Sequence, residues 1–341
     1  MYKEELVFIV RSIVESNTYK SHIAAAEKLS LFYKKVTSIQ DLQYKSNETI
    51  VTGGVALSSF EAGSCVDDYL RTVFFIKGIH KAITKLCIDY PEKSINILYA
   101  GCGPYATLLL PLLSLFHKNR INAILLDINV SSLNSVQNLI SIMGLEEYKL
   151  QLIEANAITY SKPENFIIDL AISETMHYGL TREPQVAIVK NIIAQMPAHG
   201  ILIPQEINID LAYTFYAKEP FVKDAVHNVK GRNELQPYAF RIDLGRLFTI
   251  SKEHFNGQIK SESKFESNFY NLPDDYSNHP DLCIFTELVI FEDIELKTAE
   301  SYITNPYCVT SLYNFKDTSV FQLVYDITDI PQWTYNLQDK Y

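Results

Sequence analysis

The chain of 341 residues has one tryptophan, four methionines and five cysteines. Cys65, Cys87, Cys102, Cys283 and Cys308 are odd in number and widely scattered, with no Cys-x-x-Cys pair and no Cys/His cluster at zinc spacing. Neither a disulfide framework nor a metal follows from them, and a reducing cytoplasm is the expected location. Positive charge is scarce too. Thirty Lys and Arg against forty Asp and Glu leave a net charge of -10, which argues against nucleic acid as a partner, because a phosphate backbone needs a basic face. No apolar run suits a membrane: the most apolar window, Leu108 to Phe116, is short and holds Pro111. The start places Glu4 and Glu5 ahead of a brief apolar stretch and lacks the basic segment of a signal peptide. What is present is 47% hydrophobic and 21% charged, the balance of a globular protein with room for a small or locally cationic substrate.

Three textures follow one another along the chain. Residues 1 to about 42 carry apolar positions at helical spacing (Leu6, Ile9, Val10, Ile13, then Ile23, Ala26, Leu29, Phe32) and predict two helices. Asn47, Gly53 and Gly54 mark turns before a further helical pattern from Cys65 to Ile88, which Pro91 closes. From Ser94 the pattern becomes strand, loop, helix, repeated. Strands are predicted at 95–100, 122–127, 148–155 and 166–173, and helices at 108–116, 131–143 and 185–196. Near-continuous apolar strands alternating with helices indicate a parallel sheet covered on both faces. From residue 200 the chain turns β-rich, with alternating stretches at 281–291 and 319–327, and the polar segment Lys218 to Tyr238 reads as an excursion between strands. The expected fold is α/β: an N-terminal helical segment or lid at 1–62, a Rossmann-like domain at 63–206, and a β-rich, barrel-like domain at 207–341.

Ala100-Gly101-Cys102-Gly103-Pro104 lies between the first strand and the next helical pattern. Glycines there let the backbone turn tightly and approach a ligand at the carboxyl ends of the strands. The spacing alone also fits a dinucleotide fingerprint. Asp127 ends the second strand, where a carboxylate can accept both hydroxyls of a ribose. That placement suits NAD enzymes and methyltransferases equally. Asn156-Ala157 follows the third strand, where Rossmann-type methyltransferases read the adenine edge; an ordinary turn is the competing reading.

The fourth strand runs into Ser173-Glu174-Thr175-Met176-His177-Tyr178-Gly179-Leu180-Thr181-Arg182-Glu183. This stretch resembles the double-glutamate hairpin of the protein arginine methyltransferases, which reads Ser-Glu-x-Met, then Leu, then a second Glu nine positions after the first. Gly200-Ile-Leu-Ile-Pro204 is similar to the stretch that opens that family's β-barrel, and Asp68-x-x-Arg71-Thr72 to the helix whose arginine contacts the carboxylate of the methyl donor. The resemblance covers roughly residues 65 to 215. It implies a class I fold that binds S-adenosylmethionine, yields S-adenosylhomocysteine and uses no metal. It further implies a donor site at Arg71, Gly101, Cys102, Gly103, Asp127, Asn156 and Ala157, an acceptor site at Glu174, Met176, His177 and Glu183, and a homodimer.

Physical chemistry is consistent with the two glutamates as catalytic residues. A guanidinium is planar, always charged and rich in fixed donors, so paired carboxylates can hold it and aim one nitrogen. Orientation of that kind is worth about 7–11 kcal/mol of a barrier. The chain departs from the family in two respects. The family's Thr-His-Trp loop is missing, since the single tryptophan is Trp333 after Pro331-Gln332, and the stretch after Glu183 is short for a barrel plus a dimerisation arm. Both move the expected acceptor from a protein to a small molecule such as free arginine or an arginine-derived metabolite. The segment Gly54-x-Ala56-Leu57-Ser58 could then serve as the lid. Three other readings stay open. His177 could act as base toward a phenol, amine or carbon centre of a secondary metabolite. The glycine turn could serve a NAD oxidoreductase, or the chain could be an inactive nucleoside-binding partner of another subunit.

Overall fold

The computed structural model describes residues 2–37, 47–222, 240–254, 263–315 and 318–339. Most of the Lys218 to Tyr238 segment, expected as an excursion, lies outside the described residues. The chain opens with α1 (Tyr2–Val14) and α2 (Tyr19–Val36), whose predicted apolar faces are buried. Thr18 caps α2 by accepting from the Ser21 amide, and Ser21 returns a bond to the cap. A short hairpin follows, β1 (Thr49–Val51) and β2 (Gly54–Ala56), then α3 (Ser59–Ser64) and the long α4 (Tyr69–Asp89). The helix α4 packs against α1 and α2 and against the β-rich region, so one apolar core runs from Leu6 to Trp333.

The central sheet is fully parallel. Its strands are β3 (Ile95–Ala100), β4 (Ile121–Asp127), β5 (Lys149–Glu154), β6 (Leu170–Ser173) and β7 (Ile201–Ile203), in the order β5-β4-β3-β6-β7. The chain therefore winds one way from β3 and the other way through β6, and the crevice beside β3 is where such sheets bind ligands. Inner strands are buried on both faces, whereas the edge strand β5 alternates Lys149 and Gln151 with Leu150 and Leu152. Between strands lie α5 (Leu110–Leu113), α6 (Val130–Met143) and α7 (Gln185–Ile193).

Three predicted boundaries contract. The expected helix at 108–116 is helical only over α5, because the chain from Gly101 to Thr107 is a loop and Pro111 sits in the first turn. The expected strand at 166–173 pairs only from Leu170; Asp169 below it is buried, accepting from the Asn96 amide and the Lys93 ammonium. The helix expected to reach residue 196 ends at Ile193.

Beyond β7 the topology is antiparallel. One sheet comprises β8 (Glu206–Thr214), β9 (Ile242–Ser251), β11 (Asp281–Phe291), β12 (Ile294–Leu296) and β13 (Tyr307–Ser311); the other comprises β10 (Lys264–Asn271), β14 (Thr318–Asp326) and β15 (Gln332–Asp339). They meet through aromatic side chains, with the Phe248 ring stacked 6.0 Å from Trp333 and 5.7 Å from Tyr325.

This β-rich region grips the loop that follows β6. Trp333 donates its indole N–H to the Gly179 carbonyl at 2.7 Å, Tyr325 donates its hydroxyl to the Leu180 carbonyl at 2.7 Å, and the Arg182 amide donates to the Pro331 carbonyl at 3.0 Å. Gly179 has φ +65°, and a methyl group there would lie 2.7 Å from Tyr307 Cβ. Trp333→Phe leaves a buried carbonyl without its donor and should cost about 1–3 kcal/mol. Gly179→Ala adds strain and overlap of about the same size. Both should lower the thermal unfolding midpoint; an unchanged midpoint for Trp333→Phe would mean the tail does not hold this loop.

Candidate functional site

The residues singled out in the sequence meet at the carboxyl ends of β3, β4, β5 and β6. A cleft of about 950 Å³, partly open to solvent, is lined by Arg71, Gly101, Cys102, Gly103, Asp127, Asn156, Ala157, Glu174 and Glu183. Met176 and His177 line a second cleft of about 900 Å³ that shares Leu57, Cys65, Arg71 and Glu183 with the first. The two spaces thus adjoin, with Arg71 and Glu183 on their boundary.

Local backbone chemistry builds the first cleft. Gly101 has φ +68° at the tip of β3, and a methyl group there would lie 2.5 Å from Thr175 Cγ2, so only glycine lets the loops after β3 and β6 pass so closely. The Cys102 amide donates to the Leu126 carbonyl. The Gly103 and Asn129 amides each donate at 2.8 Å to a different oxygen of Asp127. Asp127 is therefore no exposed loop acid: it is 7% exposed, and burial raises its carboxyl to about 6 against the pull of those amides. Each oxygen retains acceptor capacity. Asn156 turns its side chain on itself, accepting from the Ile158 amide at 3.0 Å, while Ala157 is buried beside it.

Glu174 is buried, 5% exposed. One carboxylate oxygen meets the Arg71 guanidinium, and Oε1 has no hydrogen-bond partner among the described residues. Glu183 is partly buried at the far end of the loop. Burial pushes its carboxyl up to about 7, although Arg71 and Arg182 both pull it down. His177 sits between, its Nδ1 2.8 Å from the Thr181 hydroxyl oxygen; burial, reinforced by the Arg182 charge, drives its pKa down to about 4.

Four supporting residues were given no role of their own by the sequence, although Asp68 stands in the Asp68-x-x-Arg71-Thr72 pattern. Gln185, 1% exposed, accepts from the Thr175 amide at 2.9 Å and from its hydroxyl at 2.8 Å, and donates to the Ser173 carbonyl at 2.9 Å. It clasps the main chain on both sides of Glu174. Asp68, buried at the start of α4, accepts from the Ser301 hydroxyl at 2.6 Å and the Tyr302 amide at 2.9 Å, which anchors the helix carrying Arg71. Tyr99 lines the first cleft beneath the glycines, its phenol held protonated by burial. Trp333 lies 150 or so residues along the chain from the loop that it braces. Gln185, Tyr99 and Trp333 stand in no local pattern, and the partners of Asp68 lie far along the chain, so only the fold brings these roles into view. The hairpin β1–β2 also touches the site, since the Val55 amide donates to the Arg182 carbonyl and Ala56 and Leu57 line the first cleft.

Among the described residues no group of His, Cys, Asp and Glu could hold a metal ion, and no helix is long and apolar enough to cross a membrane. No family model matches the chain, and no curated protein matches it. Solved structures do match. One is a chain of the Trypanosoma brucei PRMT1 enzyme-prozyme heterotetrameric complex with AdoHcy, similar at TM-score 0.52 and 13% identity over 82% of this chain and 92% of that one. At that identity the likeness is one of architecture. The chain has a PRMT-like fold.

Proposed function

We propose that the chain is an S-adenosylmethionine-dependent N-methyltransferase that acts on the guanidino group of a small molecule, free arginine or an arginine-derived metabolite first. The observation that carries this reading is the buried Glu174 in the first cleft, with one oxygen on the Arg71 guanidinium and Oε1 unsatisfied, while Arg71 and Glu183 stand where that cleft meets the second. The similar trypanosome protein, whose complex contains AdoHcy, supports the donor.

The residues present fit such a donor. Gly101, Cys102 and Gly103 would allow close backbone approach, Asp127 would offer a buried acceptor for ribose hydroxyls, Asn156 and Ala157 would border the adenine, and Arg71 would supply a cation for the donor's carboxylate. The chemistry supplied by the bound group is a methyl on a sulfonium centre. Glu174 and Glu183 would do the rest, clamping the acceptor guanidinium and orienting one nitrogen across the junction. A carboxyl with a pKa near 7 is also suited to take the proton that the nitrogen must lose. His177 suits the alternative role of base less well, because at about 4 its imidazole is a weak one and its Nδ1 is already engaged. We carry the lid at 1–62, the boundaries at 63–206 and 207–341, the cytoplasmic location and a homodimer as part of the same proposal.

Calorimetric titration with S-adenosylhomocysteine, then with arginine, tests donor and acceptor separately. Glu174→Gln should keep donor binding and weaken arginine by roughly 100-fold or more, since charge-assisted hydrogen bonds are lost from a buried site. Loss of donor binding instead would reassign Glu174, and absence of arginine binding in the wild type would remove the acceptor. Methyl transfer by neither arginine nor any other acceptor, with the donor still bound, would favour the inactive-partner reading.

The pH dependence has a definite sign. Below about 7 Glu183 is protonated and offers no charge to a guanidinium. The kcat/KM for the acceptor should therefore climb as pH rises toward 7 and level off above it, because this ratio reports the free enzyme. Glu183→Gln should give a low, flat profile across the same range; an unaltered rise would assign the titration to another group.

A further inference from the structure

Three of the five cysteines lie apart, but the fold brings Cys283 and Cys308 together. Their positions are directly opposed in the antiparallel pairing of β11 with β13, just past a register shift. Opposed residues in such a pair share a face and have Cα atoms about 4.5–5.5 Å apart, within the roughly 4.4–6.8 Å that a disulfide spans. Both are thiols in this structure, in contact within a small cluster formed with Ala212, Phe285 and Tyr216. Cys283 is fully buried and Cys308 is partly exposed.

We infer that Cys283 and Cys308 form a reversible dithiol–disulfide site whose oxidation state is felt at the glutamate loop. The path is short. Tyr307, next to Cys308, is the residue against which Gly179 packs so closely that no side chain fits, and its ring lies 6.0 Å from that of Tyr178. Gly179 in turn presents its carbonyl to Trp333. A change in the backbone of β13 at Cys308 therefore moves the surface on which the loop rests.

The two thiols have unequal tasks. Contact with the Cys283 S–H favours the Cys308 thiolate, and the same contact, with burial, holds Cys283 protonated. Exposed and more acidic, Cys308 attacks one sulfur of a small disulfide such as oxidised glutathione, forming a mixed disulfide and releasing one glutathione thiolate. The Cys283 sulfur, giving up its proton, then attacks the Cys308 sulfur and expels the second glutathione. The net reaction oxidises two protein thiols to one disulfide, reduces one glutathione disulfide to two thiols and passes both protons to them. This inference stands apart from the proposed methyl transfer and needs neither donor nor acceptor.

The experiment uses the full chain, incubated with oxidised glutathione, alkylated, and mapped by mass spectrometry, with intrinsic fluorescence recorded in parallel. Trp333 is the only tryptophan, so its emission reports the Gly179 contact. The expected result is a Cys283–Cys308 cross-linked peptide and a shift of emission, both reversed by dithiothreitol and both absent in Cys308→Ser and Cys283→Ser, while Cys87→Ser retains them. Glutathione adducts at Cys308 without the cross-link, or a cross-link between other cysteines, would overturn the site. A Cys283–Cys308 cross-link with unchanged emission would overturn its coupling to the loop.

Discussion

A carboxylate withdrawn from water is the constraint on which this structure turns. Glu174 lies where the loops after β3 and β6 come closest, and an unpaired charge in such a place costs several kcal/mol. The fold answers with one cation, Arg71, and with a clasp, Gln185, that fixes the main chain on both sides. Arg71 must itself be held, and Asp68 does so by tying the start of α4 to Ser301 and Tyr302 in the β-rich region. The helix α4, the parallel sheet and the β-rich back therefore converge on a single side chain, within one continuous apolar core.

Charge bookkeeping at the junction favours a second cation. Arg71 faces two carboxylates, Glu174 and Glu183, while Arg182 is drawn to Glu48 at the protein surface. One positive charge cannot neutralise two negative ones, and burial raises the Glu183 carboxyl further than Arg71 and Arg182 pull it down, so its proton is retained. A guanidinium entering between the carboxylates would release that proton and complete the balance. The same arrangement disfavours a neutral phenol, which would leave the excess negative charge where it is.

The sequence disclosed those parts of the site that end a strand. Gly101, Asp127, Asn156 and Glu174 each stand where an apolar run stops, and the sheet must deliver such positions to one edge. Glu183 was legible through its spacing from Glu174 within one loop. Gln185 was hidden because a glutamine two residues past a motif looks like any helix start. Asp68 meets Ser301, Tyr325 meets Leu180 and Trp333 meets Gly179 across 145 to 233 positions of chain. Contacts of that span leave no periodicity to read. The contracted strand at β6 has a related cause, since Phe166 and Ile168 are buried by packing without joining the ladder.

Trp333 also explains how a chain without the family's Thr-His-Trp loop can still fix its glutamate hairpin. The indole does not line either cleft; it stands behind the loop, stacked on Phe248, and spends its N–H on the Gly179 carbonyl. The second cleft is lined instead by His177, Tyr178 and Tyr302 together with Arg71 and Arg182 and the acids Glu61, Asp68 and Glu183. On the proposed reading, these aromatic and acidic groups would select a planar guanidino compound by charge and shape. Bracing and recognition, which one tryptophan could serve together, are here assigned to different residues. The β-rich region accordingly acts on the chemistry through the rigidity of one loop.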